Sequence, residues 1–252
     1  MILLLHPLGL GDHIMYNGLV RYYANNDSII LFVWERYFKE VSYMYRDLNN
    51  IQYCRLFIET AEEVDYNVNH LKYDTFIPIG PHTINDKQYN TDMVKNVPFH
   101  DCYIHAGLDF MLRYNKFKIE RDQFMENYVY NLFTHLIGNT KYIVVHDDPS
   151  RNLIIDFQKI PEKNVHVFLI SSNRNNFTKH FNMFHMYKIL ENAEAFHGYE
   201  GTSWSILVEQ SRLSNLKKYI HVYTRENCSK QNGPDNNFNE SQYTTENWTF
   251  IY

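Results

Sequence analysis

Short apolar runs alternate with amphipathic stretches along most of this chain, and that alternation limits the fold more than any single motif does. Ile2 to Leu5, Ile29 to Val33, Ile51 to Leu56 and Tyr73 to Ile77 read as strands, the last one stopped by Pro78 and Gly80. Asp12 to Ala24 reads as a helix with Ile14, Leu19 and Val20 on its apolar positions, and an aromatic helix follows from about Glu35 to Arg46. Strand–helix–strand order predicts a parallel sheet covered on both faces. Residues 80–97 are polar and turn-rich and read as a long loop over one edge. His100 to Tyr114 and Glu120 to Leu136 read as helices.

The alternation then starts again. Strands are expected at Tyr142 to His146, Val165 to Ile170, Glu194 to Tyr199 and Tyr219 to Thr224, with helices over 183–193 and about Ser203 to Ser211. The economical fold class is α/β, with two Rossmann-like parallel-sheet halves facing across a cleft, 1–118 and 119–252. From about Arg225 the chain turns irregular, yet its closing ENWTFIY carries apolar bulk expected to dock back on the body.

Composition narrows the function classes. A net charge of -5 with no Lys/Arg stripe argues against a nucleic-acid binder. Cys54, Cys102 and Cys228 form no CxxC pair, which fits a reducing, cytoplasmic setting and excludes a cysteine zinc site. MILLL is too short for a signal-peptide core, and no apolar run reaches the roughly 20 residues of a membrane span. The sequons at Asn176, Asn227, Asn239 and Asn247 are expected by chance in an Asn-rich chain.

Three loops carry the chemistry, each placed where a parallel strand ends. HPLGLGDH follows the first strand: Gly9 and Gly11 allow close backbone approach, and Asp12 falls at or near the helix N-cap beside His13. As a dinucleotide fingerprint the turn fails, because Ile14 occupies the third glycine position, although Glu35 stands about 20 residues on. It therefore either caps a helix or presents a catalytic base. YIVVHDDPSR runs a buried strand into His146, Asp147, Asp148 and Arg151, a set that either turns the chain or grips a diphosphate through the Arg fork. Glu200-Gly201-Thr202-Ser203 opens a helix whose free N–H groups form an anion site, or else simply caps it. Trp204 can stack on a base or sugar or fill a contact. The aromatic run Tyr37, Phe38, Tyr43, Met44, Tyr45 reads as core.

The opening ILLLHPLGLGDHIMYNGLVRYY resembles that of heptosyltransferase-like glycosyltransferases of the B fold: a hydrophobic strand, a turn ending Leu10-Gly11-Asp12, and Arg21 nine positions on. His6 stands where that family usually has Lys or Arg. Residues 186–210 resemble the family's donor-phosphate unit, with Glu200 in place of its Asp and Ser205 in place of its His. The resemblance implies Asp12 as general base on an acceptor hydroxyl. A nucleotide-sugar donor is expected mainly on the C-terminal half, with Arg151 and the backbone around Gly201, Thr202 and Ser203 on its diphosphate, and Gly9, Gly11, His13, His146, Asp148 and Glu200 are further substrate- or donor-binding candidates. Inverting transfer without a metal or a further cofactor is expected. A sugar-nucleotide epimerase and a non-catalytic nucleotide or glycan binder are the alternatives, and the oligomeric state is left open.

Overall fold

Leu3, Leu4 and Leu5 have no solvent exposure, and a strand apolar on both faces belongs inside a parallel sheet. That strand, β1 (Ile2–Leu5), is flanked in parallel by β2 (Ile29–Trp34) and β4 (Thr75–Pro78), while β3 (Ile51–Leu56) pairs with β2 and forms an edge. The order is β3-β2-β1-β4. In β3 exposure varies from residue to residue, as suits an edge strand.

The computed structural model describes residues 1–6, 8–79, 82–84, 87–89, 103, 106–138, 140–149, 152–171, 176–199, 201–222 and 248–252. The chain divides into two units, Met1–Glu120 and Arg121–Tyr252. The first holds α1 (Leu10–Met15), α2 (Asn17–Ala24), α3 (Phe38–Met44), α4 (Ala61–His70) and the short α5 (Leu112–Asn115). The second holds α6 (Gln123–Ile137), α7 (Asn176–Lys179), α8 (Tyr187–Glu191) and α9 (Ser203–Gln210).

The second sheet is built on the same logic. Its buried strand β7 (Tyr142–His146) lies between β8 (His166–Leu169) and β9 (Ala195–Tyr199), with β10 (Lys217–His221) and β11 (Trp248–Ile251) beyond, all parallel. The order is β11-β10-β9-β7-β8. The closing residues do dock back, since Trp248 to Ile251 pair with Lys218 to His221. One apolar cluster, including Leu3, Leu5, Phe32, Leu56 and Val64, packs under the first sheet. Another, including Ile143, Val145, Leu153, Ile160 and Ala195, packs under the second.

Several expectations need correction. The loop at 80–97 contains a two-stranded antiparallel pair, β5 (His82–Ile84) with β6 (Lys87–Tyr89), and its remaining residues lie outside those described. Of the helix expected over 100–114, Leu112–Asn115 is helical and Ala106–Met111 is not, while most of 100–105 lies outside the described residues. The helix expected from Asp12 begins at Leu10 and is interrupted at Tyr16. The 35–46 and 183–193 helices each begin with a 3-10 turn, Glu35–Tyr37 and Met183–Met186. α4 forms where the sequence reading has no helix; Thr60 caps it by accepting the Glu63 N–H, and Val64 and Val68 bury against β3. The segment after Val222, up to Trp248, lies outside the described residues.

Close packing of α9 on β9 depends on Gly198. A Cβ there would stand 2.6 Å from Ser205 Oγ and 2.8 Å from the Phe196 ring. Gly198→Ala is therefore expected to cost about 1–3 kcal/mol by overpacking, read as a lowered midpoint in urea unfolding. A variant as stable as the parent would show that the helix yields instead.

Candidate functional site

Strand order reverses once in each sheet, between β1 and β4 in the first and between β7 and β9 in the second. Open α/β sheets bind ligands beyond the carboxyl ends of the strands at such switch points. The three sequence loops follow β1, β7 and β9, the strands at those two points.

At the first point the chain leaves β1 through His6 and enters α1 with Gly9 as the extended cap residue. Asp12 is thus the third residue of the helix rather than its cap. Its carboxylate folds back to accept the Gly9 N–H at 3.1 Å. Any Cβ at Gly9 would lie 2.7 Å from Asp12 Oδ2, so the glycine supplies space for that carboxylate rather than an unusual φ. Partial burial raises the Asp12 carboxyl to about 6 against the opposing pull of the Gly9 hydrogen bond. That range suits a base that must be charged yet basic near neutrality. Gly11 is the second residue of α1 and half-buried.

His13 was expected among the ligand-facing residues, and the structure places it elsewhere. It has no exposed surface, meets His6 edge-on at 4.5 Å between ring centres, and burial holds its imidazole well below its usual range. It belongs to the apolar packing behind the turn, together with Tyr16 and Tyr45, whose hydroxyl reaches the His13 carbonyl at 3.5 Å. Arg21 likewise turns inward. Its guanidinium donates to both Asp47 oxygens at 2.8 and 3.0 Å, to the Met44 carbonyl at 3.0 Å and to the Lys118 carbonyl at 2.9 Å.

At the second point His146 ends β7, half-buried, with its ring 6.3 Å from that of Trp204 in the first turn of α9. The backbone of Asp148 pairs with Leu153 in both directions, pinching the loop shut at its base. Asp147 is buried and accepts a hydrogen bond from the Ser171 hydroxyl, tying the ends of β7 and β8 together. Arg151 and Glu200 lie outside the described residues.

Gly201 adopts φ +69, with open space where a Cβ would project. Thr202 is the N-cap of α9, and its hydroxyl serves the fold: it accepts the Ser205 N–H at 3.3 Å and donates toward the Tyr199 carbonyl at 3.1 Å. Ser205 is fully buried and donates to the same carbonyl at 2.7 Å. Both hydroxyls are turned to the helix start, which leaves the backbone of this turn as the part able to meet an anion. Half-buried Ser203 remains at the first helical position, where backbone N–H groups point outward.

Among solved structures the chain is similar to a glycosyl transferase family 9 protein from Veillonella parvula DSM 2008. The two share 10% identity over 89% of this chain and 80% of that one, with a TM-score of 0.49. No protein-family model and no curated protein matches. Among the described residues, no group of three or more His, Cys, Asp and Glu side chains is placed to hold a metal ion, and no helix is long and apolar enough to cross a membrane.

The second unit also holds a feature that the sequence reading missed. His197 on β9 bonds Glu162 through Nε2 at 3.0 Å and His221 on β10 through Nδ1 at 3.1 Å, and it stacks on Tyr219 at 4.4 Å. Register of β9 with β10 sets His197 opposite Tyr219 and diagonal to His221, and no spacing rule joins residues 162, 197 and 221.

Proposed function

We propose that this protein transfers a sugar from a nucleotide-sugar donor to an acceptor hydroxyl. The reading is carried by Asp12: a carboxylate beyond a central parallel strand, tethered by one backbone N–H and raised to about 6. In the proposed step Asp12 takes the acceptor proton while the acceptor oxygen bonds to the anomeric carbon. The bond from that carbon to the donor diphosphate breaks, and attack opposite the leaving group inverts the configuration. The negative charge on the departing diphosphate is met by the N-terminus of α9, with Gly201 giving backbone access, and by Arg151. Half-buried His146 is assigned to the base or sugar of the donor, while Trp204, buried beside it, backs that ring as core. No metal is needed in this scheme, so treatment with EDTA is expected to leave the rate within about twofold.

A thermal-shift panel tests the donor half first. At 100 times its dissociation constant, a nucleoside diphosphate or nucleotide sugar that binds only the folded chain adds about 2.7 kcal/mol of stability. A clear rise in melting temperature with at least one such nucleotide is expected, and a flat response to the whole panel counts against the donor site. Conversion of a nucleotide sugar with no acceptor present would instead favour epimerase chemistry.

A further inference from the structure

Helix α6 shows an apolar row to solvent. Phe124, Tyr128, Leu132 and Leu136 are 78, 49, 36 and 70% exposed, spaced four residues apart along one side of the helix. Exposed Gln123, Asn127, Asn131 and His135 run beside them. The opposite side, with Val129 and Phe133, is buried against the second sheet, where the Phe133 ring lies 4.6 Å from that of Phe168 on β8. A row of this size, set on a rigid helix rather than scattered, marks an interaction surface.

We propose that a second copy of this chain docks on this face, α6 against α6 and antiparallel, about a two-fold axis at Tyr130. The row is self-complementary about that residue. Phe124 lies six positions before it and Leu136 six after, while Tyr128 and Leu132 lie two before and two after. Each aromatic ring therefore meets a leucine of the partner, as a same-patch, two-fold interface requires.

Charge fits the same occupant. α6 contains no Lys or Arg, and its one acid, Glu126, is buried against Arg121. Antiparallel docking sets the positive end of each helix beside the negative end of the other. The rim cation Lys188, bonded to Asn127 at 2.5 Å, then faces the C-terminal half of the partner helix. An anionic membrane surface would instead call for basic residues along the row. One helix face of about 22 Å covers less than the roughly 800 Å² per partner of a standard interface, so the dimer is expected to be weak, in the micromolar range.

Sedimentation velocity of the full chain from about 1 to about 200 µM tests this. Wild type is expected to shift from monomer toward dimer, whereas Leu132→Glu and, independently, Phe124→Ser stay monomeric with unchanged far-UV circular dichroism. A wild type that remains monomeric throughout overturns the proposal. So does a dimer that persists in both variants, or a monomer that instead co-sediments with phosphatidylserine vesicles.

Discussion

Asp12→Asn is expected to lower the rate of sugar transfer by about 10²–10⁴-fold while leaving donor binding unchanged. Asparagine keeps the shape of the side chain and an oxygen able to accept the Gly9 N–H, so the start of α1 survives and the base alone is lost. Wild-type activity should rise about tenfold per pH unit below about 6 and level off above it, following the ionisation of Asp12. The variant should lack that limb.

Stability moves the opposite way. A carboxyl raised from 3.8 to about 6 by burial favours the folded chain when protonated, and this contribution is lost as pH rises through about 4 to 6. Partial exposure of Asp12 reduces the effect to about 1–2 kcal/mol. Asp12→Asn should therefore be more stable than wild type at pH 8 and equal to it at pH 4, as measured by urea unfolding. A variant that loses activity and stability together at pH 8 would mean that Asp12 is holding the turn rather than acting as base.

Replacing Arg21 by Met should destabilise the N-terminal unit by about 3–5 kcal/mol, because it leaves Asp47 facing a nearly buried site without its main partner. Burial alone would raise the Asp47 carboxyl. Hydrogen bonds from Arg21 and Lys118 outweigh it and hold the group at about 2. The folded value is depressed, so this stabilisation is present above about 4 and is lost as pH falls toward 2. Lys118 lies on the exposed side of Asp47 and cannot replace the bidentate fork or the bonds to Met44 and Lys118 carbonyls. The double variant Arg21→Met, Asp47→Leu should recover most of the loss, since no uncompensated charge remains. Equal losses in the single and double variants would show that the carbonyl bonds, not the ion pair, dominate.

Arg21 also shows where reading the sequence stops. Its spacing from Asp12 is visible in one dimension, but its partner 26 residues on depends on how the chain leaving the end of α3 meets α2. Strand positions were legible because a strand buried on both faces, such as Leu3 to Leu5 or Tyr142 to Val145, is written as a continuous apolar run. Loop positions followed, because strand ends fix them. Side-chain direction did not. Thr202 and Ser205 sit in the right turn but spend their hydroxyls on the Tyr199 carbonyl, and His13 follows Asp12 yet points into the core. The space that Gly9 gives to Asp12, and that Gly198 gives to Ser205, appears only once strand, turn and helix are brought together.

The most direct measurement is release of nucleoside diphosphate from a panel of nucleotide sugars with a mixed pool of glycan acceptors, followed by ³¹P NMR for wild type and Asp12→Asn. Turnover of at least one donor by wild type, slowed at least about 100-fold in the variant, is the predicted result. No release from any donor by wild type, or equal release by the two proteins, would contradict the assignment of Asp12 as the base of a sugar transfer.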